Sequence, residues 1–122
     1  MMHASESEEQ CALFQWAEMM SRKHSELSLL YHIPNGGARS KGTAGRLKAE
    51  GVKSGVPDLC LPVARGKYHG LYVEMKVGKN KPTANQIMWM DALKEQGYQA
   101  KVCYGWRDAA EVIERYLKGA DE

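Results

Sequence analysis

Gly55-Val56-Pro57-Asp58-Leu59-Cys60-Leu61, a short basic loop, and Gly70-Leu71-Tyr72-Val73-Glu74-Met75-Lys76 decide the fold. Both runs are apolar with period-2 patterning, and the Gly-containing segment Ala64 to Tyr68 joins them, which predicts a β-hairpin. A loop symmetric about Gly66 sets Asp58 opposite Glu74, with Cβ atoms roughly 5 Å apart. Lys76 follows Glu74 by two residues, so Asp58, Glu74 and Lys76 emerge on one face. Leu59, Leu61, Leu71, Val73 and Met75 point to the other.

Two carboxylates facing each other repel unless a cation lies between them. Hard oxygen ligands suit Mg²⁺ or Mn²⁺. An ion there polarises a phosphate and acidifies a bound water. Lys76 adds a fixed positive charge for orienting the water or stabilising charge on the phosphorane. The competing reading is a surface hairpin with solvated Glu74 and Lys76; Pro57-Asp58 opening the preceding strand argues against it.

The chain has 122 residues, 43% hydrophobic and 26% charged, which predicts one globular domain over 1–122. It shows no membrane-spanning run, and Met1 to Gln10 is acidic and polar, so the expected compartment is the cytoplasm, with no membrane partner. Cys11, Cys60 and Cys103 are widely spaced and on apolar-patterned segments, predicting buried reduced thiols rather than disulfides, a zinc site or a nucleophile. Net charge is only +2. Its distribution is uneven: Arg39, Lys41, Arg46, Lys48 and Lys53 face one acid, Glu50, and Arg65, Lys67, Lys76, Lys79 and Lys81 extend the bias. Such a middle suits a polyanion.

Around the hairpin, a first helix is predicted over Ser5 to Lys23, capped by Ser5 or Ser7, with Gln10, Leu13, Phe14, Ala17 and Met20 inward. Ser28 to Ile33 reads as a strand, with His32 an edge or packed histidine. Pro34 halts it, and Asn35-Gly36-Gly37 is turn chemistry whose amides can approach a phosphate or simply reverse the chain. A basic helix from Lys41 or Thr43 to Glu50 ends at Gly51. Thr83 and Gln86 form a T-x-x-Q capping box opening a helix to about Gln96, with Ile87, Met90 and Leu93, and Trp89 beside them, as its buried stripe. Tyr98 to Tyr104 is a strand and Arg107 to Leu117 a closing helix. The order is αβαββαβα, with a βαβ crossover through the helix from Thr83.

Pro57-Asp58 followed by Glu74-Met75-Lys76 resembles the PD-(D/E)xK nuclease signature. With Ile33-Pro34-Asn35-Gly36-Gly37 and Gly55-Val56-Pro57-Asp58-Leu59, the chain looks like the VRR-NUC branch from about Glu6 to Leu117. The resemblance implies a restriction-endonuclease-like α/β core, a mixed β-sheet flanked by helices. It implies Mg²⁺ or Mn²⁺ held by Asp58, Glu74 and the backbone carbonyl of Met75, with Lys76 assisting catalysis. Family members carry an acid on the first helix that reaches the metal, a role falling to Glu6 with Glu9 second and Gln10 as a polar neighbour. A family glutamine near the active site matches Gln86, which the capping box also explains.

The expected activity is structure-selective DNA endonuclease action, as a homodimer cutting four-way (Holliday) junctions. Flap or branched-DNA cleavage of low intrinsic specificity, and a catalytically silent DNA-binding module, are the alternatives. Asn35, Gly36, Arg39, Lys41, Arg46, Lys48, Lys53, Lys79 and Lys81 are the expected DNA contacts.

Overall fold

A computed structural model of the chain describes residues 4–34 and 41–119. Its centre is a four-stranded sheet in the order β1-β2-β3-β4, formed by Tyr31–His32, Leu59–Leu61, Leu71–Lys76 and Gln99–Tyr104. The β2–β3 pair is antiparallel with Leu59 opposite Val73 and Leu61 opposite Leu71, the register expected from symmetry about Gly66. β4 runs parallel to β3. Parallel neighbours need a crossover, and α3 (Ala84–Glu95) supplies it. The helices α1 (Glu6–Met20), α2 (Lys41–Ala49) and α4 (Trp106–Leu117) complete the predicted order αβαββαβα, with a mixed sheet flanked by helices.

The period-2 alternation of the hairpin sends Leu59, Leu61, Leu71, Val73 and Met75 into one cluster with Leu13, Ala17, Ile113, Tyr116 and Leu117 from α1 and α4. Tyr116 donates its hydroxyl to the Val63 carbonyl at 2.5 Å, tying α4 to the end of the hairpin strand. The opposite face carries the buried Cys60, Glu74 and Ala100, and α3 packs against β4 with Met90 buried.

Local chemistry sets the helix ends. Ser5, not Ser7, caps α1 through a reciprocal box with Glu8. Thr83 and Gln86 make the predicted box on α3. The end of α2 is a Schellman turn, with the amides of Gly51 and Val52 bonded to the carbonyls of Lys48 and Leu47.

Four expectations are corrected. Ser28 to Ile33 is not a six-residue strand: Ser25–Leu29 is a 3₁₀ turn and only Tyr31–His32 pairs in the sheet. Leu27 and Leu30 are buried while Leu29 is 51% exposed, the three-residue period of a 3₁₀ helix rather than the alternation of a strand. Cys11 is exposed, because it shares the solvent stripe of α1 with Gln15 and Glu18; Cys60 and Cys103 are buried as expected. On α3, Ile87 is exposed, Trp89 and Leu93 are half-buried, and Met90 alone is buried. Arg65 is no part of a free basic surface: it pairs with Glu26 and donates to the carbonyls of Ala64 and Leu117, closing the hairpin loop onto α4. Among the described residues no helix is long and apolar enough to cross a membrane.

Candidate active site

Asp58 lies one residue before β2, and its carbonyl accepts the Ile33 amide at 2.7 Å and contacts His32 Nδ1 at 2.9 Å. Its side chain turns towards β3, where Oδ2 accepts the Met75 amide at 2.8 Å. Continuing the β2–β3 register places Asp58 opposite Glu74 and Pro57 opposite Met75. A residue's N–H and C=O point to the same side of a strand, so the Met75 carbonyl also faces the Asp58 strand. Proline has no N–H to offer it. The Pro57-Asp58 pair thus does two jobs: Asp58 takes the Met75 donor, and Pro57 leaves the Met75 carbonyl without its ladder partner.

Glu74 is 2% exposed, and its Oε1 is buried with no hydrogen-bond partner. Its Oε2 lies 3.7 Å from Lys76 Nζ, itself almost wholly buried. The carboxyl pKa is raised to about 8, first by burial and then by the Asp58 charge; Lys76 opposes the shift, and the charge of Glu6 adds to it. A buried carboxyl with an orphaned oxygen and a second carboxylate beside it is short of positive charge. One lysine does not supply enough.

A divalent cation answers that deficit, and the donor set fits one: Asp58, Glu74 and the Met75 carbonyl are all hard oxygen ligands. Among the described residues no cluster of three or more His, Cys, Asp or Glu side chains is close enough to hold a metal. Among the described residues, an ion here would draw on two carboxylates plus backbone oxygen and water.

The two acids weighed on the first helix part company. Glu9 Oε1 accepts the Trp106 amide at 2.7 Å, capping α4 where the N-cap residue Gly105 has no side chain to do so. Glu6 is half-buried at the start of α1, and its charge is felt at Glu74. Gln10 is half-buried on the same helix.

Gln86 Oε1 accepts the Thr83 amide at 2.9 Å, and among the described residues no hydrogen bond or ion pair joins it to Asp58, Glu74 or Lys76. Arg46 and Lys48 are exposed in the last turn of α2, and Lys53, Lys79 and Lys81 are exposed on loops. Lys41 opens α2. Asn35, Gly36 and Arg39 lie outside the described residues.

Sequence reasoning missed the role of Glu9 as a cap, the anchoring of the Asp58 carbonyl by β1, and the ties of Arg65. Each joins positions far apart in the chain and leaves no local pattern. Burial pushes the Cys103 thiol up to about 12, the opposite of an activated nucleophile.

The chain matches the VRR-NUC domain family over residues 2–106. It belongs to that family. A solved structure described as a VRR_NUC domain protein superposes with a TM-score of 0.83 at 31% identity, covering 99% of this chain and 94% of that one. No curated protein matches the sequence. This VRR-NUC protein therefore carries a nuclease-type domain on a fold consistent with the restriction-endonuclease-like core.

Proposed function

We propose that this VRR-NUC protein is a Mg²⁺- or Mn²⁺-dependent endodeoxyribonuclease acting on branched DNA in the cytoplasm. The carrying observation is the buried Glu74 carboxyl, one of its oxygens without a partner, beside Asp58 and Lys76. Asp58, Glu74 and the Met75 carbonyl would hold the ion. When bound, it would supply Lewis-acid polarisation of the scissile phosphate and a low-pKa water as nucleophile.

The chain's own residues orient and balance charge. The Met75 amide fixes the Asp58 carboxylate, so one oxygen is committed and the other is left for the reaction centre. Lys76 is too buried to wander; its ammonium stays beside Glu74 and meets the negative charge that builds on the phosphate. Glu6 stands at the open end of α1, where its carboxylate can accept a hydrogen bond from water entering the site. The exposed bases of α2 and of the loop before α3 suit contacts to the sugar-phosphate backbone.

Four-way junctions as the preferred substrate, and a homodimer as the working form, are proposed from the family resemblance. A two-fold pair of sites suits a substrate with paired scissile phosphates. The test is a panel of junction, flap, splayed and linear duplex DNA with Mg²⁺ or Mn²⁺, using wild type and Asp58→Ala. Cleavage should vanish in the variant while DNA binding persists. Equal cleavage by both proteins sinks the enzyme reading, and equal cutting of all four DNAs sinks the junction preference.

A further inference from the structure

A groove of about 810 Å³ opens between α2 and the start of α3, with apolar walls from Leu47, Val52 and Trp89 and charge from Lys48 and Lys53. The described lining includes no Asp or Glu. Its floor is built with unusual closeness. Gly55 is buried at φ +89, and a Cβ there would stand 2.6 Å from Asn85 Nδ2 and 3.0 Å from Trp89 Cδ1. Only glycine permits both that backbone shape and that approach. Asn85 is held in turn by donating to the Ser54 carbonyl at 2.9 Å and to the Ser54 hydroxyl at 3.0 Å. Asn85 is thus fixed, with its amide oxygen left as an acceptor.

We infer that this groove receives an unpaired nucleotide of the DNA strand being cut, its base against the Trp89 indole and its phosphate between Lys48 and Lys53. The inference rests on the nuclease reading and, among branched DNAs, favours those with an unpaired strand, such as flaps, over fully paired four-way junctions. Three observations carry it. An aromatic side chain beside exposed cations, without acids, is the combination that binds single-stranded nucleic acid. The volume lies in the range of small-molecule pockets and holds a nucleotide, whereas a paired base, still stacked in a duplex, cannot enter it. Gly55 also lies three residues before Asp58, a reach of at most about 11 Å, so a short run of unstacked strand links groove and reaction centre. The α3 N-terminus, with no acid in its first turn, adds further positive character at the same wall.

The test uses the whole chain without divalent metal, so that nothing is cut. It compares a fully paired duplex with the same duplex bearing a single-stranded extension that carries 2-aminopurine. Wild type should bind the extended DNA about 10-fold more tightly and quench the probe, as stacking on an aromatic side chain does. Trp89→Leu should abolish preference and quenching while leaving duplex affinity unchanged, and Trp89→Phe should retain both. Ala44→Trp, at an exposed position on the same wall, should fill the groove and have the effect of Trp89→Leu even if the latter folds poorly. No preference in wild type, or an undiminished one in Ala44→Trp, overturns the inference. Asp58-dependent cleavage in a protein lacking the preference leaves the nuclease reading intact; Trp89-dependent quenching in a protein that cleaves nothing rejects that reading alone.

Discussion

The open end of the β2–β3 hairpin and the α2–α3 groove carry different parts of the proposed chemistry, and they are built in opposite ways. At the hairpin, Glu74 and Lys76 are buried, held by the ladder between β3 and β4, and set over a core face of Leu59, Leu61, Leu71, Val73 and Met75. At the groove, the described α2 side chains are exposed except the half-buried Leu47, and its bases meet solvent. On the proposed function, the difference separates catalysis from binding. A buried carboxyl beside a second carboxylate must be rigid, because any slack lets water relieve the charge deficit that would draw in a cation. A phosphate-gripping surface works while solvated, since screened charges still attract a polyanion.

The largest expected effect comes from Glu74→Gln, which keeps shape and removes the charge. DNA cleavage should fall by about 10³-fold or more, measured at saturating substrate, because both the metal ligand and its electrostatics go. The same variant tests the burial argument through pH. Glu74 has its pKa raised from 4.5 to about 8, so its folded form holds a proton that the unfolded chain releases. Its stabilising contribution is full below about 4.5 and lost as the pH rises through about 8. Metal-free wild type should therefore lose thermal stability across that window, and Glu74→Gln should flatten the trend. Mg²⁺ or Mn²⁺ should raise the wild-type Tm more at pH 8 than at pH 6. A flat metal-free profile in the wild type would break the contrast between the two regions.

Next in size, Lys76→Met should lower the cleavage rate by about 10²-fold with DNA affinity nearly unchanged, since its cation acts on developing charge. Leu61→Ala should cost about 2–5 kcal/mol of stability by opening a cavity under the hairpin, read by denaturant unfolding. The two first-helix acids should then divide. Glu9→Ala should cost about 1 kcal/mol for the lost cap on α4 while sparing the cleavage rate. Glu6→Ala should leave stability alone and slow cleavage. The smallest change belongs to the exposed face: Lys48→Ala should weaken binding of DNA with a single-stranded extension modestly and shallow its salt dependence by about one counterion, without altering the rate at saturation.

The hairpin was the most legible region because its pattern is local. Alternation fixes the two faces, and a Gly-centred loop fixes register, so the opposition of Asp58 and Glu74 follows from counting residues. Capping boxes at Ser5 and Thr83 read equally well for the same reason. β1 did not, because the apolar run Leu29 to Ile33 reads as a strand while Leu27 and Leu30 take the spacing of a 3₁₀ turn, and the sheet needed only Tyr31 and His32. Ile87 misled because helical spacing marks a stripe without saying how wide the surface covering it is.

Sequence alone determined the element order, the hairpin register and the meeting of two acids with one lysine, all set by short-range geometry of the backbone. Tertiary structure decided how deeply Glu74 is buried, that Glu9 caps α4, and that Ser54-Gly55 closes against Asn85 and Trp89 to make a groove. Those outcomes depend on which distant surfaces exclude water from one another, and no local pattern encodes that.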